Sequence, residues 1–192
     1  MSPAVAHVYE IELLHLLVSP EHAYFGRPRD GAADVETHDA TSVDLVAGKG
    51  IRGDRFYGKA AHMDAAVTLL AHEAWVGVAE DLGLDPVPDV LLARRNLVVR
   101  GIELDPLRGN DFTIETAGGS VVLHGGRPAA PCAWMDRVVA PGAHAALRGR
   151  GGLRCRVVTD GRLVRGPARL LSPVEMDPAR AADAVLRRTP LP

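Results

Sequence analysis

The sequence predicts a mainly β domain of the α+β class: a curled, antiparallel, barrel-like sheet with a few short helices. Three observations predict it. Short runs with alternating or continuous apolar residues recur along the chain, as half-buried or fully buried strands require. Glycine-bearing pairs, Gly118-Gly119 and Asp160-Gly161, sit between neighbouring runs where a hairpin would reverse. Helical spacing appears in a few short pieces that do not alternate with strands as a doubly wound parallel sheet would need.

From Val5 to Val18 the pattern is strand-like, with Tyr9, Ile11 and Leu13 on one face and Glu10 and Glu12 on the other. Residues Pro20 to Thr41, carrying Gly26, Pro28, Gly31 and several charges, read as a long surface excursion. Val43 to Val46 is a short strand entering a loop with glycines at 48, 50, 53 and 58. "AAVTLLAHEAWVGVAEDLGL" predicts a strand ending near Leu70 and a helix from His72 to Leu82, stopped by Gly83. Leu97 to Val99 reads as a buried strand, after which Asp105 is placed to cap a short helix opened by Pro106. "DFTIETAGGSVVLHG" is a hairpin, "AWMDRVVAPGAHAALRG" supplies two helical pieces broken at Pro141, and "GLRCRVVTDGRLVRG" is a second hairpin. "DPARAADAVLRR" predicts a closing helix with Asp177 as cap, so the domain is expected over 1–172 with a helical tail over 173–192.

At 192 residues the chain suits one domain with a sizeable core, and its 47% hydrophobic and 24% charged content is that of a soluble globular protein. A cytoplasmic location is expected and a membrane partner is not. No stretch approaches the roughly 18 uncharged apolar residues a membrane helix needs, and the apolar start contains Glu10 and Glu12 without a basic lead. Two cysteines, Cys132 and Cys155, argue against a disulfide scaffold. Charge is divided along the chain: residues 1–90 hold 6 Lys+Arg against 15 Asp+Glu, while residues 91–192 hold 16 against 9. The basic half is nearly all arginine, whose planar fork suits phosphate and carboxylate groups. Nucleic acid is not expected, since the net charge is −2 and only 4% of residues are aromatic.

Several motifs bear on chemistry. "GKGIRGDR" lacks Walker spacing, but it offers Arg52, Asp54 and Arg55 on a flexible loop at a strand end. "HEAWV" departs from a zincin helix at Val76, where the second histidine would stand. In "GGRPAAPCAWMDR", Pro131 fixes its own φ and biases Ala130 towards extended geometry, so Cys132 is presented on a stiff backbone. If "AWMDRVV" is helical, unpaired amides at its start favour a thiolate, and Arg127 and Arg137 act the same way if they come close. A thiolate is the form that accepts sulfane sulfur or ligates a soft metal. Cys155, in "LRCRVV", alternates with Arg154 and Arg156 and reads as core. A Cys–His pair using His124 or His144 as base is a further arrangement the residues allow.

Taken together, "GKGIRGDRFYGK", "AAVTLLAHEAW", "ARRNLVVRGIELDPLRGNDFTI", "RPAAPC" and "GRGGLRCRVVTDGRLVRG" resemble, in order and spacing, the MOSC domain, the module named for the C-terminal part of molybdenum cofactor sulfurases. The resemblance runs from Val43 to Leu171. It implies a β-barrel-like fold and molybdenum cofactor chemistry, with Cys132 as the reactive cysteine, either carrying sulfur as a persulfide or ligating molybdenum. It implies that Arg94, Arg95 and Asn96 help to hold the cofactor's anionic groups, and that Arg52, Asp54 and Arg55 form the family's Gly-Asp-Arg loop. Arg127, beside the cysteine turn, is a further anion-binding candidate. The implied partners are a sulfur donor protein or an electron-transfer protein, the latter for a branch that reduces N-hydroxylated compounds. That branch often reads Arg-Pro-Asn where this chain has Arg94-Arg95-Asn96. No pyridoxal-phosphate domain is expected in this length. The rival reading is a non-enzymatic anion-binding or assembly module in which Cys132 only packs.

Overall fold

Residues 7–185 are described by a computed structural model. The strands are β1 (His7–Val18), β2 (His38–Asp39), β3 (Ser42–Val46), β4 (Gly50–Ile51), β5 (Val67–Ala71), β6 (Leu97–Arg100), β7 (Asp111–Thr116), β8 (Gly119–Pro128), β9 (Leu153–Val157), β10 (Gly161–Val164) and β11 (Gly166–Ser172). Helix α1 (His72–Asp81) links β5 to β6, while α2 (Trp134–Val138) and α3 (Ala143–Ala146) lie between β8 and β9. No helix among the described residues is long and apolar enough to cross a membrane.

Seven strands close on themselves in the order β1-β11-β7-β8-β9-β5-β6 and back to β1. Closure removes the unpaired strand edges of an open sheet. Closure depends on the length of β1. Its first part pairs with β11, from His7 opposite Ser172 to Leu13 opposite Gly166. Its second part pairs with β6, after a register shift between Leu13 and His15. A separate three-stranded sheet, β10-β3-β4, contributes Val43, Leu45, Ile51 and Leu163 to the same buried cluster as the barrel interior.

The interior is filled by Leu13, Leu16, Leu69, Leu97, Val99, Phe112, Ile114, Leu123, Leu153 and Leu170, all buried in one cluster. A second cluster lies outside the wall, where Leu70 and Val98 meet Trp75 and Val78 of α1, Trp134 and Met135 of α2, and Ala143 of α3. Strand β5 is therefore buried at every position, which explains why its sequence is a continuous apolar run instead of an alternation.

The expected class is observed, with four local differences. β5 and β6 are parallel, joined by α1, whereas the other barrel pairs are antiparallel. Asp160-Gly161 turns the chain but does not join paired strands: β9 pairs with β5 and β8, and β10 pairs with β3. The Asp160 carboxylate accepts instead from the Ala47 amide at 2.7 Å. Asp105 does not cap its turn; it accepts from Arg108 at 3.2 Å. Asp177 does cap, accepting from the Ala179 amide at 2.9 Å, but it opens only a single 3-10 turn, Pro178–Arg180. Residues 5 and 6 of the expected first strand and 186–188 of the expected last helix lie outside the described residues. β11 has no turn pair to announce it, and Pro167 within it counts against a central strand.

Two predictions concern the frame. Gly152 has φ +93° and a Cβ there would overlap the Leu69 carbonyl. Gly152→Ala should cost about 3 kcal/mol or more in urea unfolding. Gly166→Ala, with φ +119° but open space around it, should cost about 1 kcal/mol. Asp39 of β2 anchors the excursion to β1. Its carboxylate pairs with His15 Nδ1 at 2.9 Å and accepts from the Leu16 amide at 3.1 Å and Arg165 at 2.7 Å. Burial raises its pKa, but the His15 and Leu16 hydrogen bonds with the His15 and Arg165 charges bring it below the ordinary 3.8. A carboxyl with a depressed folded pKa stabilises above its unfolded value and loses that contribution as pH falls through the folded one. Asp39→Asn should therefore cost about 1 kcal/mol at pH 7, with the difference from wild type closing below pH 3.8 in thermal melts.

Candidate functional site

The side chain of Asn96, which immediately precedes β6, is at the centre of the site. It is 1% exposed and fully partnered. Its Oδ1 accepts from both the amide and the hydroxyl of Thr68, each at 3.0 Å, and its backbone N–H donates to the same hydroxyl oxygen at 3.0 Å. Its Nδ2 donates to the Leu17 carbonyl at 3.2 Å and to Asp54 Oδ2 at 3.1 Å. Strands β1, β5 and β6 and the loop after β4 are thereby joined through one amide.

Asp54 carries the link outward. Its carboxylate also accepts from the Phe56 amide at 3.1 Å and from Arg55 at 3.4 Å, while the Arg55 amide donates to the Ser19 carbonyl at 2.8 Å. Gly53, with φ +85°, makes the turn. Arg55 is largely buried, lies over the Phe56 ring and leaves its buried Nε without a partner. Arg94 has φ +51°, the only non-glycine residue with positive φ among the described residues. That strained backbone turns its guanidinium towards Ser19 Oγ at 2.8 Å, the Glu21 carbonyl at 3.0 Å and Thr37 Oγ1 at 3.1 Å. Its Nε is also buried and unpartnered.

Arg95 points the other way, under the cysteine segment. It donates to the carbonyls of Gly151 at 2.8 Å and Ala129 at 3.1 Å. β8 shifts register between Gly125, opposite Cys155, and Pro128, opposite Leu153, so Gly126 and Arg127 leave the ladder, and residues 129–131 continue as a strap beside Gly151 and Gly152. The Ala129 amide donates to the Gly152 carbonyl at 2.8 Å. The strap ends at Cys132, which is exposed, with α2 starting two residues later. That helix has five residues, so a helix terminus adds little, and the positive surroundings come from side chains.

The charges act on one another. Burial and then Arg154 push the Arg95 guanidinium down to about 10, with Cys132 opposing and Arg55 adding to the fall, so it remains charged at neutral pH. Burial and then Arg55 hold Arg94 below its ordinary value. His22 lies at the rim and is held below 6.5 by desolvation and by the Arg55 and Arg94 charges. Burial raises Tyr24, whose hydroxyl donates to the Leu92 carbonyl at 2.6 Å and whose ring stacks on Trp134 at 5.5 Å.

Of the residues singled out from sequence, Asp54, Arg55, Arg94, Arg95, Asn96 and Cys132 belong to this connected region. Arg52 does not join them: it is exposed over Tyr57, beside Asp44. Arg127 lies with Arg154 along a neighbouring cavity. Cys155 is fully buried, its thiol pushed far up by burial, and both cysteines are free. His124 pairs with Asp111 at 2.6 Å, and the His144 amide donates to Asp136 at 2.8 Å. In "HEAWV", Glu73 accepts from the Gly101 amide at 2.8 Å and Trp75 donates to the Pro88 carbonyl at 2.8 Å. His22, Tyr24 and Arg154 carry no sequence signal that marks them out. The first two sit in an excursion without periodicity, and Arg154 reads as the polar face of a strand.

No family model and no curated protein matches the chain. Solved structures do match in fold. The YUAD protein from Bacillus subtilis superposes with a TM-score of 0.68 at 17% identity, covering 88% of this chain and 99% of that one. YiiM from Geobacillus stearothermophilus gives 0.58 at 18% identity, covering 86% and 75%. YiiM from Escherichia coli gives 0.53 at 16% identity, covering 92% and 76%. The chain shares the barrel of these proteins.

The geometry sets two expectations. Cys132 in folded protein should be alkylated by iodoacetamide within minutes, and Cys155 only after denaturation, as read by peptide mass spectrometry. Asn96→Ala should cost about 2–4 kcal/mol in chemical unfolding, because it strips partners from Thr68 and the Asp54 carboxylate together.

Proposed function

We propose that this chain is a MOSC-domain protein in which Cys132 is the working thiolate, serving molybdenum cofactor or sulfane sulfur chemistry. The observation that carries the reading is an exposed cysteine on a stiff strap near the buried Arg95 guanidinium, in a region where Arg55 and Arg94 keep unpartnered Nε atoms. The sequence resemblance and the fold likeness to YiiM and YuaD support the same family.

The residues fit an anionic, soft-centred group. Arg55 and Arg94 each keep a buried Nε without a partner, and an anion's oxygen atoms would offset the repulsion between them. Cys132 would hold the metal, or the transferred sulfur, with the Arg95 guanidinium close by. When bound, the cofactor supplies a molybdenum centre and a pterin phosphate. As a sulfur carrier, the Cys132 thiolate attacks the outer sulfur of a donor persulfide, a new S–S bond forms, and the donor leaves as its thiolate. As a reductase of N-hydroxylated compounds, the protein would draw electrons from a separate partner. The exposure of Cys132 favours a working thiol over the rival module in which it only packs.

Native mass spectrometry of protein from a cofactor-producing host tests the reading. Wild type and Cys155→Ser are expected to carry extra mass, either a molybdenum-pterin or one sulfur atom, and Cys132→Ser is expected to carry none. Which mass appears separates the two chemistries. Equal loading of Cys132→Ser and wild type, with or without reconstitution, would refute the role of Cys132.

A further inference from the structure

A cavity of about 860 Å³ opens beside the strap, and Cys132 does not line it. Its walls come from residues 127–131, 148–154 and 180–185, with Leu104 and Ala74 behind them. Six arginines face it, and three are neutralised by carboxylates of this chain: Arg108 by Asp105, Arg180 by Asp183 and Arg150 by Asp81. Glu103, also in the wall, is engaged by the Asp177 amide at 2.7 Å.

Arg127, Arg148 and Arg154 remain, with no ion pair among the described residues. The Nε of Arg154 is buried and has no partner. Both Arg127 and Arg154 line the cavity, and burial, with the Arg127 charge, holds the Arg154 guanidinium below its ordinary value. Three uncompensated guanidinium groups around one hollow form a fork-shaped donor set suited to phosphoryl oxygen atoms. The hollow is larger than inorganic phosphate requires, and Leu104, Leu153 and Val185 give it an apolar side.

We propose that this cavity binds a small organic phosphate, with Arg127, Arg148 and Arg154 holding the phosphoryl groups and its carbon body lying on the apolar wall. The proposal does not rest on the reading of Cys132: the strap is shared, but Cys132, Arg55 and Arg94 do not line this cavity. Inorganic pyrophosphate is the probe, titrated calorimetrically into apo protein. Wild type should bind it with an affinity that falls as salt rises, and Arg148→Gln and Arg154→Gln should each weaken binding about tenfold. Arg148 is exposed, so its variant should fold as wild type does, which circular dichroism checks. Cys132→Ser and Arg55→Gln should bind pyrophosphate as wild type does. Absence of binding in the millimolar range, unchanged affinity in both cavity variants, or loss of binding in Cys132→Ser or Arg55→Gln would overturn the proposal. The last result would move the anion to the cysteine cluster.

Discussion

The buried amide of Asn96 is the constraint from which the rest of the site is organised. A primary amide inside a protein is costly unless each of its donors and acceptors is met. Here they are met by Thr68, Leu17 and Asp54, which come from three separate parts of the chain. The parallel start of β5 and β6 is thus locked beside the end of β1, and the Gly-Asp-Arg loop is pulled against that junction. Asp54 passes the constraint to Arg55 and to the Phe56 amide, and the Arg55 amide ties back to Ser19. Removing one amide would loosen four segments, including those that present Arg55 and Arg94.

The strap obeys a second constraint, backbone approach. Gly125 lies against the Leu107 carbonyl, Gly151 against the Ala129 carbonyl and Gly152 against the Leu69 carbonyl, each too close for a side chain. These glycines let β8 bulge, let the strap cross β9 at hydrogen-bond distance, and let Arg95 reach carbonyls on both sides. The prolines at 128 and 131 then limit the conformations of the segment that ends at Cys132. Rigidity at the cysteine comes from this crossing and not from the short helix behind it.

The same crossing gathers positive charge. After burial, the Arg154 charge lowers Arg95, the Arg55 charge lowers Arg94, and the Arg127 charge lowers Arg154. Guanidinium groups held together in partly desolvated surroundings destabilise the fold unless something else is gained. On the two proposals made above, the gain is a surface prepared for anions on both sides of the strap. The divided charge along the sequence becomes spatial here: the arginines of the second half meet Arg55 from the first.

The sequence alone determined the class of fold, most strands, α1 with its stop at Gly83, and the contrast between Cys132 and Cys155. These rest on local rules, alternation of burial and proline or glycine backbone restrictions, that act within a few residues. The partner of each strand was a tertiary decision. Asp160-Gly161 reads locally as a hairpin, yet β10 leaves for β3 because β9 is already bonded on both edges. β11 was illegible because its Pro167 argues against a strand, while its place depends on β1 being long enough to pair twice. The site divides the same way. The glycine-rich loop and the proline turn single out Asp54, Arg55 and Cys132, and the family resemblance adds Arg94, Arg95 and Asn96, but only closure of the barrel brought Ser19, His22 and Tyr24 to Arg94 and left Arg52 outside. Hydrogen bonds between residues 75 positions apart, such as Arg94 to Ser19, are satisfied by the folded chain as a whole, and no local pattern encodes them.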